Sequence, residues 1–460
     1  MDIRISPKVL SGQIEIISSK SDAHRVLIAA ALSEKPSRIK MKGSSKDIEA
    51  TISCLAALGA EIEEIEAGIF QVRPLERKEA EIFRRKPVKK NGTEIFQGGT
   101  VEDERKGPLL DCGESGSTLR FMIPVAAALH RGARFTGQGR LPERPLSDLL
   151  EQMKEKGCTF SADRLPFQVS GRFRGGRFSL PGNVSSQFVT GLLLAAPLLE
   201  EDSEILITSE MESMAYVSMT VDVLRRFGIA VSEEGNRYLV KGGQHYRSPG
   251  KSSGGEEIPI DGDWSNGAFW LAAGVVGAPV TLRGLSQDSV QGDKAIVEIL
   301  KEFGGRLEWG EDGAVLTARS SEGFLTALDI DGSQVPDLVP ILSVVAAAAK
   351  GATKIYNAGR LRMKESDRLA AMSQCLSLLG VSVEELPDAL IIKGVGGRKA
   401  EGGLPINVSG FRDHRIVMSM AIAAIALGRE IIIHGAEAVE KSYPAFFEEF
   451  RKLGGEADVL

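Results

Sequence analysis

"LKEFGGRLEW", residues 300–309, passes from a helical pattern through glycine into alternating apolar and polar positions. Leu300 lies four residues before Gly304, and beyond the glycine the apolar positions repeat every second residue. That is the pattern of a helix end, a left-handed glycine cap and a strand entering a sheet. The junction recurs as "LAALGAEIEE" from Leu55, "MKEKGCTFSA" from Met153, "LRRFGIAVSE" from Leu224, "LSLLGVSVEE" from Leu376 and "FRKLGGEADV" from Phe450. The glycines, Gly59, Gly157, Gly228, Gly304, Gly380 and Gly454, are separated by 98, 71, 76, 76 and 74 residues. Near-equal spacing is the mark of internal repetition, so six α-then-β units are expected.

Each unit is too long to be a solenoid repeat and must hold several strands, so two similar domains of three units form the natural division. The expected boundaries are 18–259 for the first domain, and 1–17 with 260–460 for the second, joined by two crossovers. A Gly/Ser/Pro-rich stretch, "GGQHYRSPGKSSGGEE" (Gly242–Glu257), reads as a loop or linker between the third and fourth units. The long first interval contains the charged run Glu76–Gly107, which reads as an insertion at about 78–105. A cleft between two such domains is the default place for a ligand.

Composition limits what that ligand is. The 460 residues carry a formal charge of −6, with 43% hydrophobic and 26% charged residues. That balance fits a soluble globular protein, and no Lys/Arg block of the kind nucleic acid demands is present. An anionic ligand must therefore meet a locally assembled cluster of cations, not the field of the whole molecule. Cys54, Cys112, Cys158 and Cys375 lack metal-ligand spacing, and only five His occur. Reduced, buried thiols are expected, with no metal and no disulfide framework. No signal-peptide pattern opens the chain and no apolar run is long enough for a membrane span, so a cytoplasmic location is expected.

Several stretches share one grammar of small or polar residues, a cation, then a helix. "SSKSDAHR" (18–25) puts Lys20 and Arg25 at a helix start, where acidic side chains are normally favoured. "DCGESGSTLRF" places a Gly/Ser loop with Gly116 ahead of Arg120, and "GNVSSQF" brings Ser185, Ser186 and Gln187 to another helix start. Such starts hold phosphate or carboxylate on backbone N–H groups, although each alone also reads as a plain Ser cap. "GRLPERP" carries Arg140 and Arg144 around a turn, and "KESDRL" sets Lys364 and Arg368 on one helical face with Glu365. Asp413, His414 and Arg415 stand directly before a long apolar run, where burying ionisable groups is costly unless they are paired or liganded. Asp337 precedes a further apolar helix, and Lys441 the last one.

Taken together, "SKSDAHR", "GESGSTLRF", "LPERP", "SSQF", "SMAY", "VPDLVP", "KESDRL", "DHR" and "EKSYPAFF" resemble the 5-enolpyruvylshikimate-3-phosphate (EPSP) synthase family, in its order and over nearly the whole chain. The resemblance implies an α/β fold of two similar domains, each of three βαβαββ-type units, with the active site in the cleft between them. It implies transfer of enolpyruvyl from phosphoenolpyruvate to the 5-hydroxyl of shikimate 3-phosphate, releasing phosphate, with no metal or organic cofactor. By the same resemblance Lys20, Ser21, Arg25, Ser185, Ser186, Gln187, Ser213, Asp337 and Lys364 hold shikimate 3-phosphate. Lys20, Gly116, Arg144, Gln187, Arg368, Arg415 and Lys441 hold phosphoenolpyruvate, with His414 and Arg120 in support. Asp337 is implied as the base at the 5-hydroxyl, and Glu365 as the acid at the methylene carbon, directly or through Lys20. Glyphosate is the expected inhibitor and a monomer the expected state.

Two positions depart from the family's pattern: Glu114 and Arg360 stand where many relatives have Asn. The sister enzyme acting on a UDP-sugar usually has Lys-Asn at the first motif and often a loop Cys. This chain has Lys20-Ser21, and no Cys in "GRLPERP". A catalytically dead homologue is disfavoured by the presence of both Asp337 and Glu365.

Overall fold

The computed structural model describes residues 1–75, 88–90, 93–95, 107–129, 132–249, 257–311, 313–321, 323–397 and 403–460. Of the expected insertion at 78–105, the described part is an antiparallel pair, Val88–Lys90 with Thr93–Ile95; the rest lies outside the described residues, as do 250–256 of the Gly/Ser/Pro-rich stretch.

All six junction glycines take positive φ, from +76° at Gly228 to +106° at Gly59. Each follows an outer helix: Lys46–Ala57, Ser147–Glu155, Met214–Arg226, Ile296–Glu302, Arg368–Leu378 and Phe446–Lys452. Apart from the pair Val88–Lys90 with Thr93–Ile95, the described strands form six four-stranded sheets of one topology, a parallel pair extended by two antiparallel partners. In the second unit Leu109–Asp111 runs parallel to Ala133–Thr136, which pairs antiparallel with Phe167–Gly171 and, beyond it, Cys158–Phe160. Three sheets borrow a distant strand. Asp2–Ile5 inserts between Ile431–His434 and Ala457–Val459, Gly12–Glu15 lies beside Val280–Arg283, and Glu257–Pro259 beside Ser37–Lys40. The chain is thus an α/β protein of six repeated units.

Buried apolar residues fall into two clusters. One runs from Ala23 to Ile260; the other joins Ile3–Ile17 to Trp264–Ala457. At the centre of the first are the helices Lys20–Ala31, Gly116–Ala128 and Ser186–Ala195, and at the centre of the second Trp264–Val276, Val339–Ala348 and His414–Leu427. These six are buried on almost every side, which accounts for apolar runs with little amphipathic period. Gly191 allows two of them to touch backbone to backbone, since a Cβ there would collide with the carbonyl oxygen of Arg120.

The four cysteines are buried free thiols. Among the described residues no helix is long and apolar enough to cross a membrane.

Candidate active site

The two crossing segments of the chain run side by side. Ser18 bridges to Gly262, the Ser19 N–H donates to the Asp261 carbonyl at 2.7 Å, and the Asp263 N–H to the Ile17 carbonyl at 2.9 Å. Ser19 then caps the helix Lys20–Ala31, accepting from the Asp22 N–H, and the Lys20 N–H donates to Asp263 Oδ2 at 3.0 Å. Lys20 therefore stands where the chain passes from one core to the other. Its Nζ donates to Asp47 Oδ2 at 2.8 Å; burial pulls its pKa down, but the Asp47 carboxylate outweighs this and holds the ammonium charged.

Arg25 is 2% exposed, and its hydrogen-bond partners are neutral oxygens: Ser21 O, Tyr216 O, Thr220 Oγ1 and Thr190 Oγ1. Burial lowers its pKa to about 10, leaving it charged at neutral pH. A buried guanidinium satisfied only by dipoles still has its charge available to a ligand.

The first core contributes two more helix starts. Ser115 caps Gly116–Ala128 and Ser185 caps Ser186–Ala195. Gln187 ties them together, accepting from Arg120 Nη1 at 3.0 Å and donating to Ser117 Oγ at 2.9 Å. Arg120 sits just behind the cavity wall, while Arg144 is part of it. A Cβ on Gly116 would come within 2.5 Å of Arg144 Nη1 and 2.6 Å of Arg120 Nη1, so any side chain there must push guanidinium groups aside. Gly116→Ala is therefore expected to raise the KM for an anion that binds beside Arg144 by about tenfold, with a smaller effect on a second substrate. Initial-rate kinetics with each substrate varied in turn check this; equal shifts in both constants would count against it.

From the second core comes a network of opposite charges. Arg368, 2% exposed, donates from Nη1 to Asp337 Oδ1 (2.9 Å), from Nη2 to Glu365 Oε2 (2.8 Å) and from Nε to Asp413 Oδ2 (2.8 Å). Arg415 donates to Asp337 Oδ2 at 2.9 Å and to the Asp337 carbonyl at 3.0 Å. Burial raises the Asp337 pKa, but Arg415, Lys364 and Arg368 overcome it and hold the carboxyl far below its usual range. Glu365 is likewise pushed up by burial and held well down by Arg368 and by Arg144, whose Nη1 lies 3.7 Å from Glu365 Oε1. Burial lowers Lys364 to about 8, and His414 to about 3 with help from the charge of Lys20. Neither ring nitrogen of His414 has a hydrogen-bond partner.

The structure thus brings to one cavity Lys20, Ser21, Arg25, Gly116, Arg144, Ser185, Ser186, Gln187, Ser213, Asp337, Lys364, Glu365, Arg368, His414 and Arg415. Lys441 stands apart, its Nζ donating to Glu114 Oε2 at 2.6 Å and to the Arg412 carbonyl at 2.7 Å. Sequence reasoning missed Asp47, Tyr216, Asp293 and the part played by Asp413. The Tyr216 hydroxyl points at Asp337 Oδ2 (3.2 Å) and Asp293 Oδ2 (3.4 Å), joining the two cores. Its place three residues beyond Ser213 was the available signal. Asp413 is fully buried and caps His414–Leu427 while accepting from Arg368 and Ser366, and an Asp directly before an apolar run is such a signal. Arg360, one of the two departures, also lines the cavity, with Nη2 on Ser213 Oγ (2.5 Å) and the Ser333 carbonyl (2.6 Å). Ser213 itself takes φ +55°, a conformation that costs a non-glycine residue energy and that the surrounding contacts impose.

Asp293 is 2% exposed, and burial together with the charge of Asp337 pushes it up to about 7 from an ordinary 3.8. Between those values the folded chain holds a proton there that the unfolded chain has lost, so stability falls as pH rises through that window. Asp293→Asn is expected to be neutral near pH 4 and to stabilise by on the order of 2 kcal/mol at pH 8. Urea unfolding at both pH values checks it; a variant less stable than the parent at pH 8 would contradict the account.

Seven cations line the cavity, Lys20, Arg25, Arg144, Arg360, Lys364, Arg368 and Arg415, against three carboxylates, Asp47, Asp337 and Glu365. In a chain of net charge −6 that local excess is a site for strongly anionic ligands.

Residues 5–82 and 78–450 match the family model described as EPSP synthase (3-phosphoshikimate 1-carboxyvinyltransferase). The chain is similar to the 3-phosphoshikimate 1-carboxyvinyltransferase of Clostridium novyi, 43% identical over 462 residues, covering 99% of this chain and 98% of that one. It is 39% identical over 466 residues to the protein of that name from Clostridioides difficile, covering 99% and 98%. An EPSP synthase from Acinetobacter baumannii shares its fold, with a TM-score of 0.76 at 24% identity over 100% of both chains. So does the enolpyruvyl transferase NikO from Streptomyces tendae, with a TM-score of 0.73 at 17% identity, covering 99% and 98%. A family match over nearly the whole chain and full-length identity at this level decide the question: the chain belongs to the EPSP synthase family.

Proposed function

We propose that the chain transfers the enolpyruvyl group of phosphoenolpyruvate to the 5-hydroxyl of shikimate 3-phosphate and releases phosphate. The observation that carries this reading is the excess of cations around two ionised carboxylates, Asp337 and Glu365, in one cavity. Both substrates are polyanions that repel each other in water; seven cations offset that repulsion and fix their relative position. The division into domains 18–259 and 1–17 with 260–460 fits this role, because cations come from both and an arriving anion draws them together.

The chemistry then follows from the charges. The 5-hydroxyl loses its proton to Asp337 as its oxygen bonds to the central carbon of phosphoenolpyruvate, and the methylene carbon gains a proton. In the second step that carbon gives a proton back and phosphate leaves with its bonding electrons. Asp337 is a weak base while Arg415, Lys364 and Arg368 are free to hold it. Two bound polyanions share those cations and raise its basicity when it is needed. Glu365 is a carboxylate in the unliganded site, so protonated Lys20 is the ready proton source and Glu365 the group that stabilises positive charge developing at carbon. His414, uncharged and without a partner, is suited to orient the donor. The reaction is assigned to the cytoplasm, and the protein to a monomer.

Phosphate release from phosphoenolpyruvate that requires shikimate 3-phosphate, and that glyphosate inhibits in competition with phosphoenolpyruvate, tests the reading. Release stimulated only by UDP-N-acetylglucosamine, or substrate binding without turnover, would overturn it.

A further inference from the structure

We propose that Glu114 is an internal anion that competes with phosphoenolpyruvate for Lys441 and so sets the affinity of the donor side of the site. This rests on the functional reading above. Lys441 is one of the cations the family resemblance assigns to phosphoenolpyruvate, yet its ammonium is already engaged, with Glu114 Oε2 at 2.6 Å and the Arg412 carbonyl at 2.7 Å. The Lys441 side chain is 10% exposed and Glu114 36%, so the ammonium is shielded while water reaches the carboxylate and moderates the pair.

The carboxylate sits in a shaped seat. Gly139 takes φ +58°, and a Cβ there would lie 2.5 Å from Glu114 Oε2 and 2.6 Å from Cδ. Glycine therefore serves that turn twice, for its backbone conformation and for the space Glu114 fills. Glu114 is also two residues before Gly116, on the loop whose helix start lines the cavity. Its charge is thus carried to the edge of the place where the donor's own phosphate and carboxylate must settle. A donor that reaches Lys441 either displaces Glu114 or shares the ammonium with a like charge, and both weaken binding. The pair also joins the two cores, with Lys46–Glu440 beside it at 2.5 Å. The geometry therefore allows an opposite role, a clasp that assists binding by holding the halves together, and the sign of the effect separates the two.

Kinetics of shikimate 3-phosphate-dependent phosphate release, with phosphoenolpyruvate varied, provide the test. Glu114→Gln is expected to lower the KM for phosphoenolpyruvate by about tenfold, with a smaller change in kcat. Glu114→Asp, which withdraws the carboxylate by one methylene, should fall between Gln and the parent. Direct titration of phosphoenolpyruvate alone, where no turnover occurs, should show the same order of dissociation constants. Lys441→Gln and Glu114→Gln/Lys441→Gln should share one value, because without the ammonium Glu114 has nothing to withhold. An unchanged or raised KM in Glu114→Gln, in a protein that unfolds at the parent's midpoint, would overturn the inference while leaving the activity intact. A parent with no shikimate 3-phosphate-dependent release would overturn the functional reading and this inference with it.

Discussion

Replacing Asp337 by Asn should lower turnover by about 10³-fold or more while the protein stays folded. Asn keeps the shape of the side chain and accepts one hydrogen bond, from Arg368 or Arg415, but it cannot act as the base proposed for the 5-hydroxyl. Removing the negative charge also leaves Arg368 and Arg415 less compensated, so substrate anions should bind as tightly as before or more so. The expected signature is therefore a large loss in kcat with no rise in the dissociation constant for shikimate 3-phosphate. Rapid-mix kinetics and equilibrium binding on the same preparation measure the two quantities. A variant within tenfold of the parent's kcat would remove Asp337 from the role of base.

The second large effect is on stability. Arg368 holds three carboxylates with one guanidinium: Asp337, Glu365 and the fully buried Asp413. Its own pKa is lowered by burial but raised further by Asp413, Glu365 and Asp337, so it never loses its charge in the fold. Arg368→Met fills much of the volume but strands buried negative charge, which typically costs about 3–5 kcal/mol. Arg368→Lys should lie between the two, since one ammonium cannot reproduce a planar fork aimed at separate carboxylates. The pH dependence has a definite sign. Asp337, Glu365 and Asp413 all have depressed pKa values in the folded chain, so the stability they contribute is present at neutral pH and lost as pH falls. The gap between parent and Arg368→Met should shrink on acidification for the same reason. Urea midpoints at neutral and acidic pH measure it, and a gap that widens in acid would refute the account.

How far a residue's role was legible depended on whether local physics forced it. Gly59, Gly157, Gly228, Gly304, Gly380 and Gly454 were readable as helix ends because only a residue without Cβ adopts such a φ at little cost, and that constraint acts on the chain itself. The apolar helices were readable because a run such as Ile416–Leu427 has to be buried on all sides. Cations at helix starts were readable as unusual, since they oppose the dipole, and Lys20 and Arg25 are indeed on the cavity wall. Their assignment to particular substrates came from the resemblance, not from spacing.

Other features had no local signature. Asp47 is an ordinary acid in the first turn of an outer helix until Lys20 arrives from 27 residues away, and Asp293 gains its raised pKa from burial beside Asp337. Tyr216 belongs to the site because its helix packs across the gap between the cores. The engagement of Lys441 by Glu114 joins residues 327 positions apart, and no one-dimensional pattern encodes it. Propensity and burial act along the chain, and they were enough to specify the six units, their glycine caps and the buried helices. Which charges neutralise one another and which remain for a ligand is settled in three dimensions, because Coulomb energy depends on separation and burial in space.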